Sequence, residues 1–248
     1  MKCDVLTIFP EVINAYLNES ILKRAREKKL LDVKVYNIRD FASGRHREVD
    51  DAPFGGGAGM VFKPEPLFTA IESMKGDGIP RKVILLSPQG RPFGQSKAEE
   101  LSMEDKRIVF ICGRYEGIDE RVLESLVDEE ISIGDYVITG GELAALVVID
   151  AAARLMPGTL GDSSSVEDES FSWGLLDYPH YTRPREFRGL AVPQILLSGN
   201  HNDIMIWRRK EALRKTLKVR PDIIVKVGLT DTDKKLLSEI EEEEDGRH

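Results

Sequence analysis

The amino-acid sequence predicts an α/β fold, with a mostly parallel sheet covered by helices on both faces, followed by a smaller, mainly helical domain. The first observation is that strand-like apolar runs alternate with helical patterns up to residue 156. The second is a change of composition after Pro157, where apolar residues give way to glycine, serine and acids. The third is length, because 248 residues suffice for one large core and one smaller unit.

The predicted strands are short, rich in Val, Ile and Leu, and either alternating or continuously apolar. In chain order they are CDVLTIF (3–9), LDVKVYNI (31–38), RKVILLSP (81–88), RIVFIC (107–112) and EISIGDYVI (130–138). The predicted helices between and after them place apolar residues on one face or begin after a helix-start signal. They are ESILKRAREKKL (19–30), PEPLFTAIESM (64–74), QSKAEELSM (95–103), DERVLESLV (119–127) and GELAALVVIDAAARLM (141–156).

The second part of the chain begins with a polar segment, PGTLGDSSSVEDES (157–170). We expect a first domain over residues 1–160, a flexible linker over 161–170 and a small helical domain over 171–248. The strongest helical pattern in the last domain is DIMIWRRKEALRKTLKVRPD, which Pro221 ends. Lys210, Arg214 and Lys218 fall on one face of this helix at spacings of four residues.

Charge and cysteine content limit the classes of function. The formal net charge is −8, yet residues 183–220 carry ten Lys or Arg against three acids, which makes this segment a candidate nucleic-acid contact. Cys3 and Cys112 fit no metal or redox spacing and lie in apolar runs, which predicts buried free thiols. With no export signal at the start and no apolar run of membrane-spanning length, we expect a cytoplasmic protein.

Several common catalytic signatures do not occur in the sequence. There is no GxxxxGK[ST] and no GxGxxG opening a helix, so neither usual cradle for nucleotide phosphates is present. HExxH, CxxC and GxSxG are also missing. The glycine cluster FGGGAGM (54–60) has no lysine-serine pair after it, and we interpret it as a mobile loop.

Three other segments follow predicted strands at their carboxyl ends: LLSPQG (85–90), CGRYEGIDERV (112–122) and SIGDYVITGGEL (132–143). Ligands of open α/β sheets bind at this edge. These loops offer many backbone hydrogen-bonding groups, several glycines and few charges, which favours a flat heteroaromatic ligand over a polyphosphate.

A resemblance to a known family covers nearly the whole chain. It is carried by these three segments and by four others: TIFPE (7–11), VDDAPFGGGAGM (49–60), GLLDYPHYTRP (174–184) and SGNH (198–201). In this order they resemble the bacterial tRNA (guanine-N1)-methyltransferases, the TrmD family of the knotted SPOUT superfamily. The resemblance implies a deep trefoil knot at the carboxyl end of the first domain, and transfer of a methyl group from S-adenosylmethionine to N1 of guanosine 37 of tRNA.

The resemblance also implies which residues contact S-adenosylmethionine. By motif they are Leu86, Ser87, Pro88, Gln89, Gly113, Tyr115, Glu116, Gly117, Ser132, Ile133, Gly134, Asp135, Tyr136, Val137, Ile138, Gly140 and Gly141. In this set the glycines permit close backbone approach, and Ile133 and Ile138 are suited to enclosing an adenine ring.

Methylation of guanine N1 requires a base to remove its proton and a donor to stabilise the charge that develops on O6. Arg154 matches the family's catalytic arginine. The family's base is an aspartate directly before Ser-Phe, whereas this sequence reads VEDESF. Glu169 therefore occupies the position of the base, and Asp168, one residue earlier, is the alternative.

For the tRNA, the resemblance implies a further set of contacts. It comprises Asp50, Gly59, Ser170, Asp177, His180, Tyr181 and Arg183, and we add the Lys210, Arg214 and Lys218 face as a contact for the RNA backbone. The resemblance also implies a homodimer with a shared active site and a requirement for Mg²⁺, although no ligand cluster in the sequence identifies a metal site.

Three rival functions remain at this level. Another SPOUT methyltransferase, acting on a ribose hydroxyl or on ribosomal RNA, should lack VDDAPFGGG, DYPHYTRP and the acid-Ser-Phe segment. A non-catalytic RNA-binding protein on the same fold has only the VEDESF departure in its favour. A nicotinamide oxidoreductase is disfavoured because the dinucleotide fingerprint is missing.

Overall fold

The computed structural model describes residues 1–74, 78–160, 170–171 and 173–245. The chain divides into two compact units, Met1–Gly161 and Asp162–His248. Among the helices of the described residues, none combines the length and the apolar character that crossing a bilayer requires.

The first unit contains strands β1 to β7 and helices α1 to α6. The strands are β1 Lys2–Thr7, β2 Asp32–Asn37, β3 Asp50–Asp51, β4 Val61–Phe62, β5 Arg81–Pro92, β6 Arg107–Cys112 and β7 Glu129–Ser132. The helices are α1 Pro10–Leu17, α2 Ser20–Glu27, α3 Pro64–Met74, α4 Gln95–Ser102, α5 Glu120–Leu126 and α6 Glu142–Ala153, with a 3₁₀ turn at Ile38–Phe41. The sequence patterns located all of these helices except α1.

Five of these strands form one sheet in the order β2-β1-β6-β5-β7, and every neighbouring pair is parallel. Successive residues of β6 point to opposite faces. Ile108, Phe110 and Cys112 join a core with α1, α2, α4 and α6, while Val109 and Ile111 join a core with α3 and α5. The predicted mixed α/β fold with a central parallel sheet is confirmed.

The chain makes an unusual double contact between β5 and β7. Ile131 of β7 pairs with Leu86 of β5 and again with Arg91 of β5. The residues between these two pairs, 87–90, therefore bend around β7. A Cβ atom on Gly90 would lie 2.5 Å from the backbone of Glu130 and Ile131. Only glycine permits this approach, because a side chain at residue 90 would collide with main-chain atoms.

The predicted strand over 130–138 is wrong in its second half, because β7 ends at Ser132. The Ser132 hydroxyl accepts a hydrogen bond from the Gly134 N–H, and Gly134 has a φ of +149°. This local turn takes residues 133–138 out of the sheet. An alternating apolar pattern alone does not reveal such a turn.

The second unit is built around helices α7 His201–Val219, α8 Pro221–Ile224 and α9 Asp231–Asp245, preceded by a hairpin of β8 Glu186–Phe187 and β9 Leu190–Ala191 and by a 3₁₀ turn at Gln194–Leu197. Its buried core comprises Leu175, Tyr178, Ala212, Leu213, Leu236 and Ile240. Helix α7 matches the predicted helix, and α9 packs along it.

A buried carboxylate ties α9 to α7. Asp233 receives two hydrogen bonds from Arg209, at 2.7 and 3.0 Å, and further bonds from the backbone N–H and hydroxyl of Thr230. Thr230 in turn accepts from the Asp233 N–H, which completes a reciprocal cap at the start of α9. Hydrogen bonding from Arg209 lowers the pKa of Asp233 to about 2.

This depressed pKa predicts an acid-sensitive second unit. The stabilisation is present above the unfolded-state pKa of about 4 and is lost as the pH falls from there toward 2, so Asp233→Asn should cost about 2 kcal/mol at neutral pH and progressively less in acid. Both tryptophans, Trp173 and Trp207, lie in this unit, so urea unfolding followed by their fluorescence reports on it alone.

Asp222→Asn is the matched control, because its pair with Arg220 is about half exposed on both sides and should contribute little. An Asp233→Asn penalty that is equal at pH 7 and pH 3 would contradict this role of the ion pair.

Candidate functional site

A cavity of about 380 Å³ opens at the bend of β5 after Leu86 and at the ends of β6 and β7. We call it the three-loop cavity, after the first loop (87–90), the second loop (113–118) and the third loop (133–141) that enclose it. Its volume is within the range of small-molecule sites. Within the part of the chain that the structure describes, Asp135 is the one predicted cofactor residue that does not line it.

The end of the third loop contacts the start of the second loop directly. The Gly141 N–H donates to the Gly113 carbonyl at 2.9 Å, and a Cβ atom on Gly141 would lie 2.7 Å from Cys112 Cα. Gly141 has an ordinary φ of −73°, so the requirement for glycine here is steric and not conformational. Close approach of these two loops forms one wall of the cavity.

The second loop also connects to the glycine-rich segment that the sequence assigns to the substrate. The Glu116 N–H donates to the Met60 carbonyl, and the Phe62 N–H donates to the Gly117 carbonyl, each at 3.0 Å. A Cβ atom on Gly59 would lie 2.4 Å from the Glu116 carboxylate. Strand β3 then places Asp50 opposite Phe62. The structure thus brings Asp50 and Gly59 to the second loop.

The predicted cofactor set omits an ion pair between Arg114, which lines the cavity, and Glu142, which lies behind it. Arg114 lines the cavity between two predicted residues, and its guanidinium pairs with the buried carboxylate of Glu142 at 3.1 Å. Glu142 also accepts the Thr7 hydroxyl at 2.6 Å. An acid at the start of a helix is ordinarily a solvated first-turn residue, so its burial was not visible in the pattern GGEL.

Cys112, at the end of β6, is fully buried beneath this wall. Burial, reinforced by the negative charge of Glu142, raises the pKa of its thiol well above the usual range. The thiol therefore stays protonated and is not a nucleophile. This agrees with the prediction of buried free thiols for Cys112 and Cys3.

Arg154 is the C-cap residue of α6, at the opposite end of that helix from Gly141. With a rise of about 1.5 Å per residue, the thirteen steps from Gly141 to Arg154 separate the two ends by about 20 Å. An arginine side chain does not extend that far along its own helix. Arg154 therefore lies away from the three-loop cavity of its own unit.

Three of the predicted substrate residues of the second unit, Ser170, Asp177 and His180, form a local cluster. Asp177 accepts from His180 at 2.7 Å, and the Asp177 N–H donates to the Ser170 hydroxyl at 2.9 Å. The centre of the His180 ring lies 4.7 Å from that of Tyr178 with a tilt of 42° between the rings, and the Tyr181 ring is 6.4 Å from that of Trp207. Arg183 lies two residues after Tyr181 and precedes a cis bond to Pro184.

The predicted basic face of α7 is largely neutralised within its own unit. Lys210 pairs with Glu239 at 2.6 Å and with Glu243 at 2.9 Å, and Arg214 pairs with Glu243 at 2.6 Å. The acids come from α9, whose placement the sequence analysis did not foresee. It stays a prediction that this face contacts an RNA backbone through Lys210, Arg214 and Lys218.

Glu169 and its alternative Asp168 lie outside the described residues. Among the residues that are described, no group of three or more His, Cys, Asp or Glu side chains is arranged to hold a metal ion.

Comparison with known proteins gives one consistent family. The sequence model described as tRNA (Guanine-1)-methyltransferase TrmD matches residues 1–226. Curated proteins named tRNA (guanine-N(1)-)-methyltransferase are similar over nearly their whole length. The one from Brevibacillus brevis is 58% identical over 98% of this chain and 99% of its own. The one from Dehalococcoides mccartyi (strain CBDB1) is 57% identical over 100% of both chains. The one from Dictyoglomus turgidum is 56% identical over 98% of each.

The contact between Gly141 and Cys112 yields a steric prediction. The resemblance implies that the three-loop cavity binds S-adenosylmethionine. On that expectation, Gly141→Ala should weaken this binding about tenfold or more, because one extra methyl group in a close-packed site costs about 1–3 kcal/mol. Isothermal titration calorimetry measures the effect. Gly94→Ala is the control, since a Cβ atom there meets nothing within 4 Å and its φ is −143°. Equal affinities for the two variants would show that the loops do not need this contact.

Proposed function

The chain belongs to the tRNA (guanine-1)-methyltransferase family, and on this premise we propose that it transfers a methyl group from S-adenosylmethionine to N1 of guanosine 37, the nucleotide 3′ of the tRNA anticodon. The observation that carries the proposal is the three-loop cavity at the carboxyl ends of β5, β6 and β7. Since tRNA is a cytoplasmic substrate, we propose a cytoplasmic location.

The cavity suits S-adenosylmethionine in size and in chemistry. Ile133 and Ile138 supply apolar surface for the adenine, while Gly134, Gly140 and Gly141 allow main-chain groups to reach its edge. When bound, the donor supplies an electrophilic sulfonium methyl group. Because no described cluster suits a metal ion, we assign Mg²⁺ neither a site nor a step.

Two side chains of the protein perform the acid-base work in this proposal. The carboxylate of Glu169 accepts the N1 proton of guanine as the methyl group arrives, which leaves the N1 lone pair free to form the new bond. The Arg154 guanidinium donates hydrogen bonds to O6, where negative charge develops. The residues that hold the tRNA in this proposal are Asp50, Gly59, Ser170, Asp177, His180, Tyr181 and Arg183.

We further propose that the first domain is a trefoil-knotted SPOUT domain. The support is the double alignment of Ile131 with Leu86 and Arg91, since a loop that bends around a neighbouring strand is the local geometry a threaded chain requires. Threaded chains are very rare, so only the family resemblance suggests the complete knot.

The position of Arg154 supports a further proposal, a homodimer with a shared active site. Ala144 is the last residue of α6 in the cavity lining and lies about 15 Å along the helix from Arg154, so we propose that a second copy supplies Arg154. The surface along α1 and α6 is suited to association, because these two helices pack together and carry large, exposed apolar side chains. They are Val12 and Tyr16 on α1, Phe9 just before α1, and Leu143 and Val147 on α6. The Tyr16 hydroxyl joins these helices by donating to Asp150 at 2.5 Å.

The proposed activity predicts a specific product. Incubation with S-adenosylmethionine labelled in the methyl group should label a tRNA transcript with guanosine at position 37, and digestion should release 1-methylguanosine. The same transcript with adenosine at that position is the control. Label on a ribose, on another base or on both transcripts equally would contradict the proposal.

The assignment of Glu169 as the general base predicts that its substitution lowers the methyl-transfer rate without changing the affinity for S-adenosylmethionine. Glu169→Ala should lower the methyl-transfer rate about a hundredfold or more, because a positioned general base contributes about that much. The affinity for S-adenosylmethionine should stay unchanged in calorimetry. Asp168→Ala is the matched variant, and if it alone shows this behaviour, then Asp168 is the base.

The shared site predicts complementation between inactive variants. Gly134→Val blocks the cavity and Arg154→Ala removes the donor to O6, so each homodimer should be inactive. After co-refolding, half of the dimers are mixed, and each has one intact site, which restores about one quarter of wild-type activity. If a single chain built the whole site, the mixture would stay inactive.

A further inference from the structure

Arg114 places a positive charge at the wall of the three-loop cavity. The donor that the proposed function requires is itself a cation, because its sulfur is a sulfonium. We propose that Glu142 is a specificity-determining residue: its buried carboxylate neutralises Arg114 and so allows the cavity to accept a sulfonium. The inference rests on the proposed function and concerns a residue outside the predicted cofactor set.

The carboxylate of Glu142 is held firmly in place. Its side chain is 2% exposed, and it lies in the first turn of α6, where the helix dipole favours a negative charge. The Thr7 hydroxyl at the end of β1 donates to it at 2.6 Å, and the same hydroxyl accepts from the Phe9 N–H at 2.9 Å. This arrangement fixes the carboxylate in one orientation.

Arg114 meets this carboxylate along one edge of its guanidinium. Its Nε lies 3.2 Å and its Nη2 lies 3.1 Å from Glu142 Oε2. The guanidinium carbon lies 4.2 Å from the centre of the Phe9 ring, which covers the group. A paired, stacked and partly buried guanidinium has few alternative positions, so its charge stays beside the cavity.

The pair also lies where the second and third loops meet. Arg114 forms a bridge with Gly140, and a Cβ atom on Gly140 would lie 2.5 Å from the Glu142 carboxylate and 2.6 Å from Arg114 Nε. The loops therefore close over the ion pair itself. The charge balance at this point acts on whatever occupies the cavity, because a partly buried site screens charge weakly.

The charge hypothesis makes a prediction that a purely structural role does not. S-adenosylmethionine carries the sulfonium, whereas S-adenosylhomocysteine has nearly the same shape with an uncharged sulfur. Glu142→Gln keeps the shape of the side chain and removes the negative charge that pairs with Arg114. It should weaken the binding of S-adenosylmethionine relative to S-adenosylhomocysteine by about fivefold, the size of a charge interaction across a partly screened site.

Calorimetric dissociation constants of both ligands test the inference in three variants beside the wild type. In Glu142→Gln combined with Arg114→Gln, the ratio of the two constants should return to the wild-type value, because both charges are gone. Thr7→Val removes the hydrogen bond without changing charge, and its ratio should stay at the wild-type value. Equal weakening of both ligands by Glu142→Gln, or no recovery in the double variant, would overturn the inference.

Arg114→Gln alone provides a test that does not depend on the folding of Glu142→Gln. With the cation removed and Glu142 kept, the ratio should shift in the opposite direction, toward the sulfonium ligand. An unshifted ratio contradicts the inference. A wild-type protein that binds neither ligand would refute the proposed function itself, whereas normal binding with unchanged ratios would remove only the role of Glu142.

Discussion

The architecture of the site depends on two places where main-chain atoms approach more closely than a side chain allows. Gly90 lies against the backbone of Glu130 and Ile131, and Gly141 lies against Cys112. The first contact lets the end of β5 bend around β7, and the second brings the third loop onto the end of β6. Because β5, β6 and β7 are neighbours in a parallel sheet, these contacts gather three loops at one edge.

This arrangement produces a cavity whose walls are mostly main chain and small or apolar side chains, with charge confined to a few positions. Such a cavity is suited to a flat ring that backbone groups can contact, and in our proposal the few charges at its wall determine which ligand charge is accepted. Behind the wall, Glu142 links β1, the second loop and α6. Arg154 lies at the far end of α6, away from the cavity of its own unit, and this is why its proposed role requires a second copy of the chain.

Much of the first unit was predictable because its strands and helices have regular apolar periods. The strands from RIVFIC and RKVILLSP were located because buried parallel strands are nearly continuous in apolar residues. The loop at 133–138 was not, since Ile133, Val137 and Ile138 continue a strand pattern while the turn at Gly134 depends on one hydroxyl hydrogen bond. The burial of Glu142 and the pairing of Lys210 with α9 were also unpredictable, because each depends on segments distant in sequence.

The most direct test of the account is a crystal structure of the protein grown with S-adenosylmethionine. The account predicts that the donor occupies the three-loop cavity, with its adenine between Ile133 and Ile138 and against the backbone at Gly140 and Gly141. A donor bound at any other place on the chain, with this cavity empty, would contradict it.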